Sequence, residues 1–230
     1  MNGTFDLAPK SASSPGNLDL AEELTKVAGM ATLRSSAAIL VDIDSTLYDA
    51  DPVYLKYFDR LYDVVVTPSG LDDYDFWKGR ISLEQFQMVI AYLHSDAEIL
   101  AARPYPGAVA TLRAWRAAGV KIHIVSDRKP ATVPATRRWL ADQRVPSDVI
   151  VLESRMDKLA YARSHGISLL IDDKPDLLRA AADAGLGAAS IAHAYHDRGL
   201  RADRAVIIAA NWAELRRRVE PRLFRSSTGR

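Results

Sequence analysis

A three-layer α/β fold, with a parallel sheet covered by helices on both faces, is predicted by three features of the chain. Apolar runs of strand length alternate with amphipathic stretches of about 10–13 residues, the pattern of strands joined by crossover helices. The strand runs are nearly continuous in apolar residues, as in Ala37-Ala38-Ile39-Leu40-Val41, which is what a sheet buried on both faces requires. The 230 residues are 48% hydrophobic and 26% charged, an ordinary globular balance with enough apolar side chains for a sizeable core.

Residues 1–17 are rich in Ser, Pro, Gly and Asn and read as a mobile N-terminal arm. Asn17 or Asp19 is placed to cap a helix running to about Leu33. The first strand, 37–41, ends in Asp42. The pattern then turns helical: Val53, Tyr57 and Leu61 share a face over 52–62, Thr67-Pro68-Ser69-Gly70 breaks the chain, and Ser82 is a cap for a helix over 82–93. From Pro106-Gly107 onward the alternation is regular. Helices are expected over 107–118, 131–143, 156–165 and 175–184, the last with Pro175 at its start and Gly185 past its end. Strands are expected over 121–125, 148–152, 167–171, 188–192 and 205–208. Asn211 caps a final helix over 211–219, and a basic tail follows to Arg230. The expected organisation is an α/β core over 18–48 and 104–220, a helical insertion over 49–103, and a tail over 221–230.

Composition narrows the function classes. Lys and Arg number 30, Asp and Glu 29, for a formal charge of +1, so a strongly basic nucleic-acid binder is disfavoured. Cysteine is absent, which excludes disulfide scaffolds and zinc–thiolate sites. No stretch approaches the ~18 apolar residues of a membrane span, and the first 16 residues lack the apolar segment of a secretory signal. A cytoplasmic protein with no membrane partner is the expectation.

Ligands of open α/β sheets bind beyond the carboxyl ends of the strands. There the sequence places Asp42-Ile43-Asp44-Ser45-Thr46 after the first strand, Ser126-Asp127-Arg128 after the second, Lys158 near the start of the helix following the third, and Asp172-Asp173-Lys174 after the fourth. Four acids, a hydroxyl and an ammonium group converge on one rim. Asp42 and Asp44 fall on the same side if the chain stays extended. Crowded carboxylates raise one another's pKa, and a hard divalent cation such as Mg²⁺ relieves that repulsion through all-oxygen coordination. With the cation present, Ser126 and Lys158 become anion-binding groups suited to phosphoryl oxygens. Of two acids two residues apart, one can attack phosphorus and the other can move protons. Lys174 is a rival to Lys158 for the lysine role. His193 and His196, three apart with no third ligand nearby, read as a satisfied loop pair, and His123 as a strand histidine without chemistry.

These four motifs in this order resemble the haloacid dehalogenase (HAD) superfamily, over about residues 37–190. The resemblance implies a Rossmann-like core, Mg²⁺ as cofactor and an aspartyl-phosphate mechanism. It casts Asp42 as nucleophile, Asp44 as acid/base, Ser126 as a hydrogen-bond donor to the phosphoryl group and Lys158 as the charge that holds nucleophile and phosphate. Metal ligands would come from Asp42, the backbone carbonyl of Asp44, Asp172 and Asp173, with the choice between the last two for direct ligation left open. Asp44 favours a phosphatase over a dehalogenase, which lacks that acid. Ser45 stands where many members have Gly. Asp127 and Arg128 are candidate substrate-binding residues, with the contact of Arg128 left open by the sequence.

The insertion over 49–103 resembles the helical cap that follows the first motif in many HAD enzymes. Pro106-Gly107-Ala108 with Asp172-Asp173-Lys174 is similar to the 5′(3′)-deoxyribonucleotidases. Tyr48, Phe58, Phe76 and Trp77 are then candidates to flank a nucleobase, although aromatics in this segment more often form its core. The implied activity is hydrolysis of a small phosphomonoester, with a 5′-nucleotide as the candidate substrate. Ser126-Asp127-Arg128 with Thr136-Arg137-Arg138 also resembles polynucleotide 3′-phosphatases, which lack a large cap. A non-catalytic phosphate-sensing module is the alternative of another class.

Overall fold

The computed structural model describes residues 37–153 and 155–224. The expected arm, the helix up to Leu33 and the tail beyond Phe224 lie outside these residues.

Six strands form one sheet: β1 (Ala38–Val41), β2 (Lys121–Ser126), β3 (Val149–Leu152), β4 (Ile167–Ile171), β5 (Gly187–Ile191) and β6 (Val206–Ala209). Their order is β3-β2-β1-β4-β5-β6, and every pairing is parallel. The chain winds outward from β1 in one direction and then from β4 in the other, so a crevice opens where the two halves meet. The expected strands are all present, displaced by a residue or so.

Alternation of side chains across the sheet builds two cores. Ile39 and Val41 of β1 face one side with Ile122, Ile124, Ile171 and Ile207. They pack on Leu112 and Trp115 of α4 (Ala108–Ala117), Trp139 of α5 (Val133–Asp142), and Trp212, Leu215, Val219 and Leu223 of α9 (Trp212–Leu223). Ala38 and Leu40 face the other side with Val125, Leu170 and Ala188. There they meet Ala162 of α6 (Lys158–Ser164), Leu178 and Ala181 of α7 (Pro175–Asp183), and Leu200 of the short α8 (Arg198–Ala202). The last helix runs through Pro221 to Leu223 rather than ending near Val219, because Leu223 extends its apolar stripe and is buried.

Between β1 and α4 lie α1 (Asp51–Tyr62), a 3₁₀ turn at Pro68–Gly70, α2 (Leu83–Leu93) and α3 (Asp96–Ala101). The predicted cap at Ser82 is a full capping box: its hydroxyl accepts from the Gln85 N–H, and the Gln85 side chain accepts from the Ser82 N–H. Tyr57, Phe58, Val66, Leu71, Phe76 and Val89 form a separate small core within this segment. Leu93 and Ile99 instead join the main core, and the Trp139 indole N–H donates to the Ala102 carbonyl at 2.9 Å. The helices α3 and α8 carry too few residues for a periodic signal and are not evident from sequence. Each is started by a side-chain cap, Ser95 for α3 and Asp197 for α8.

Candidate active site

Register sets the site. Val41 pairs with both Ile124 and Ile171, so β1, β2 and β4 finish nearly level. Asp42 and Asp172, the residues after β1 and β4, therefore emerge side by side; the Asp42 N–H donates to the Ile171 carbonyl at 3.0 Å. Ser126 closes β2 next to them and is 1% exposed. Asp157 caps α6 by accepting from the Ala160 N–H at 2.9 Å, which places Lys158 on the first turn of that helix.

The Lys158 ammonium donates to Asp42 Oδ1 and to Asp172 Oδ2, both at 2.7 Å, with all three groups buried. Lys174, its rival, is exposed; only its backbone N–H reaches the cluster, donating to Asp172 Oδ1 at 3.0 Å. Asp42, Asp172 and Asp173 each present a carboxylate oxygen within 4.8 Å of the others. Burial pushes the Asp42 carboxyl up to about 7 against the pull of Lys158, with Asp172 and Asp44 adding to the rise. Burial, Asp172 and Asp42 likewise raise Asp173 well above the usual carboxylate range. One ammonium is thus too little positive charge for three acids. The donor set is all hard oxygen, so these residues fit a hard divalent cation. Among the described residues no histidine belongs to this cluster.

Asp44 departs from the extended geometry expected for it. The chain turns after Asp42: the Leu47 N–H donates to the Ile43 carbonyl at 2.8 Å, and Ser45 takes a left-handed φ of 53°. Glycine adopts that conformation without strain; here Ser45 carries it. The turn carries the Asp44 carboxylate away from the three-acid cluster and onto Arg128. Arg128 Nε donates to Asp44 Oδ2 at 3.0 Å and Nη2 to Oδ1 at 2.8 Å, a two-pronged pairing. Tyr48 donates to Asp44 Oδ1 at 2.6 Å, and His94 Nε2 lies 3.4 Å from Oδ2. Burial alone would raise Asp44, but Arg128 and His94 hold it well below the usual carboxylate range.

Arg128 is 1% exposed, and its remaining prong donates to Thr136 Oγ1 at 2.9 Å. Its guanidinium is thus engaged by Asp44 and Thr136 at the edge of the cavity. Asp127 is exposed at the rim. Tyr48 and Phe58 are buried, 3% and 0% exposed, and cannot flank a base. Phe76 packs at 5.3 Å on Phe58 inside the small core, and Trp77 stacks on Phe86 with rings 4.7 Å apart.

A cavity of about 390 Å³ joins these groups. Its floor holds Asp42, Asp44, Ser126, Lys158, Asp172 and Asp173; its walls include Tyr54, Tyr74, Trp77, Phe86 and His94 from the helical segment and Tyr195 from the loop after β5. Tyr54, Tyr74, His94 and Tyr195 carry no motif signal. They arrive through tertiary packing, Tyr74 meeting Tyr195 edge to face at 5.6 Å.

A family model for haloacid dehalogenase-like hydrolases matches residues 37–185. The chain belongs to this family. That segment spans the sheet from β1 to the end of α7 and includes every motif at the cavity floor. Among curated proteins, "Putative nucleotidase BH1399" of Halalkalibacterium halodurans is 27% identical over 146 residues, covering 63% of this chain and 73% of that protein. Among solved structures, a HAD family hydrolase from Deinococcus radiodurans R1 with bound phosphate and sodium superposes with TM-score 0.58 at 17% identity, covering 85% of this chain and all of that one (100%). CbbY from Rhodobacter sphaeroides, in complex with phosphate, gives TM-score 0.56 at 16% identity over 77% of this chain and 95% of that one. At these identities the two structures establish the shared fold. Among the described residues, no helix is long and apolar enough to cross a membrane.

Two outcomes follow from the site's charges. Arg128→Ala removes the main partner of the half-buried Asp44 carboxylate, which keeps Tyr48 and His94, and is expected to destabilise the protein by about 1–3 kcal/mol, with Arg128→Lys losing less; urea unfolding measures both, and no loss for the alanine variant contradicts the pairing. Asp51, on the cavity wall, has its carboxyl pushed up from 3.8 to about 6 by burial and then by Asp49. Its native pKa exceeds the unfolded value, so its contribution to stability is complete below about pH 4 and is lost as pH rises through about 6. Asp51→Asn is expected to stabilise the protein at pH 8 relative to wild type and to gain little at pH 4; equal gains at both pH values contradict this.

Proposed function

We propose that this hydrolase is a Mg²⁺-dependent phosphomonoesterase of small substrates, with a nucleoside 5′-monophosphate as substrate, working through a phosphorylated Asp42. The observation that carries the reading is the Lys158 ammonium bridging Asp42 and Asp172, with Asp173 within reach, at the floor of the cavity. Three acids and one lysine form a site that is complete only with added positive charge on one side and a phosphoryl group on the other.

In this reading Asp42, Asp172, Asp173 and the Asp44 carbonyl hold the metal, which when bound supplies positive charge to nucleophile and phosphoryl oxygens alike. Lys158 orients the Asp42 carboxylate and stands beside the incoming phosphoryl group, while Ser126, at the end of β2, donates to a phosphoryl oxygen. Asp42 attacks phosphorus, the bond to the leaving oxygen breaks, and that oxygen takes a proton from Asp44. Water then attacks the phosphorus of the acyl phosphate, Asp44 accepts its proton, phosphate is released and Asp42 returns as carboxylate. Pairing with Arg128 keeps Asp44 ionised, the form required for the second half. For the first half it must carry a proton against that pull, so reprotonation of Asp44 is a step that Arg128 opposes.

The segment over 49–103 acts as a cap in this proposal. Its side chains roof the cavity, exclude water and limit the substrate's size. The aromatic wall of Tyr54, Trp77 and Phe86 supports a substrate that carries an aromatic base beyond its sugar leaving oxygen, and a relative named as a nucleotidase supports the same class. A roofed cavity of this size disfavours a polynucleotide end and the phosphate-sensing alternative gains nothing from a substrate-sized chamber.

Release of phosphate from a panel of nucleotides, sugar phosphates and a 3′-phosphorylated oligonucleotide tests the reading. Turnover is expected with Mg²⁺ and lost with EDTA, mononucleotides are expected to outperform the oligonucleotide, Asp42→Asn to be inactive, and Asp44→Asn to be slowed about 10²–10⁴-fold. Full activity of Asp42→Asn, or a preference for the oligonucleotide with steep salt dependence, contradicts it.

A further inference from the structure

The three acids of the cluster are not held in the same way. Asp42 and Asp172 share the Lys158 ammonium, and Asp172 also accepts from the Lys174 N–H. The direct hydrogen bond to the Asp173 side chain comes from elsewhere: the Tyr195 hydroxyl donates to Asp173 Oδ2 at 2.8 Å. Tyr195 lies on the loop between β5 and α8, more than twenty residues along the chain, and enters the cavity wall from there.

That loop is built to hold its place. His196 Nε2 donates to the Asp173 backbone carbonyl at 2.9 Å, while His196 Nδ1 accepts from the His193 N–H at 3.3 Å. The tautomer is assigned from these partners: with Nε2 as donor, both ring nitrogens are satisfied. Arg201 of α8 donates to the carbonyls of His196 and His193. Asp197 accepts from the Leu200 N–H at 2.7 Å and pairs with Arg179 of α7, tying the loop to the helix that follows Asp173. The Tyr195 ring itself is stacked on His193, with centroids 4.9 Å apart and planes 3° apart, and abuts Tyr74 edge-on. A phenol held on one face and one edge has little rotamer freedom. Its hydroxyl therefore aims a hydrogen bond in a fixed direction.

We infer that Tyr195 is a positioning residue for Asp173, and that the loop carrying it sets the direction in which this carboxylate faces a divalent cation. The inference rests on the metal reading of the Asp42–Asp172–Asp173 cluster and names the part of the chain that tunes it. Asp173 is gripped at two points, its backbone carbonyl by His196 and one carboxylate oxygen by Tyr195. Rotation about its side-chain bonds, which would swing the carboxylate out of the cluster, is thereby opposed. The pair His193 and His196, which stands outside the acid cluster, acquires a role: it fixes the loop rather than coordinating metal.

Titration calorimetry of the metal-free protein with Mg²⁺, in the absence of substrate, tests this. Tyr195→Phe removes one hydroxyl and keeps the ring that packs on His193 and Tyr74. It is expected to weaken Mg²⁺ binding about 10–100-fold, the range for loss of a group that orients a metal ligand, while the metal-free protein keeps the wild-type circular dichroism spectrum and unfolds at a modestly lower temperature, because a buried partner of Asp173 is lost. In an Asp173→Asn background the same change is expected to have little further effect, because the partner it orients is gone. Tyr195→Phe protein that binds Mg²⁺ as tightly as wild type, or an equal loss in the Asp173→Asn background, overturns the inference and leaves the metal reading standing. Wild-type protein that takes up no Mg²⁺ overturns the metal reading itself, and the inference with it.

Discussion

Three buried carboxylates stand at the ends of adjacent parallel strands with a single ammonium group among them. Each buried ion loses several kcal/mol of hydration that only close partners can offset. Lys158 does this for Asp42 and Asp172 at 2.7 Å each, and Tyr195 does part of it for Asp173. The sheet makes the crowding unavoidable, since the register of β1 against β4 forces Asp42 and Asp172 to emerge as neighbours. An arrangement so poor in positive charge is unfavourable as a structural device and sensible as a receptor for a cation and a phosphoryl group.

A second pairing separates the chemistry of two acids that are only two residues apart. Asp42 is pushed up to about 7 by burial in spite of Lys158, whereas Asp44 is held down by Arg128 and His94. The left-handed turn at Ser45 makes this possible by sending the two carboxylates to different partners. Environments that drive neighbouring titratable groups apart are how one site assigns a nucleophile and a proton carrier. The helical segment above contributes to both halves, through His94 beside Asp44 and Tyr74 against Tyr195.

Much of the fold was legible because strands buried on both faces are nearly continuous apolar runs and most are followed by a helix of measurable period, the short α8 after β5 excepted. The acids and Ser126 drew attention for a related reason: polar residues at the end of a buried strand have few structural explanations, whereas Lys158, on the first turn of α6, is singled out only by the order of the motifs. What sequence could not show is direction. Nothing in Asp42-Ile43-Asp44 tells that the chain turns and that the second carboxylate faces Arg128, so the pairing of Arg128 with Asp44 is invisible in the sequence. Tyr195 is hidden for the same reason. It sits between two histidines whose spacing draws attention, while its own role depends on a loop folding back over the end of β4. Phe58 reads as a candidate platform from composition and is core because tertiary packing decides which aromatic faces a cavity.

The central claim is that Asp42 is the group that captures phosphorus. Rapid quenching of the enzyme during turnover, followed by borohydride reduction and peptide mass spectrometry, measures it directly, since reduction converts an aspartyl phosphate to homoserine. Conversion at position 42, dependent on substrate and abolished by omitting it, is the predicted result. Continued phosphate release with no conversion at position 42, or with conversion at another acid, would contradict the account.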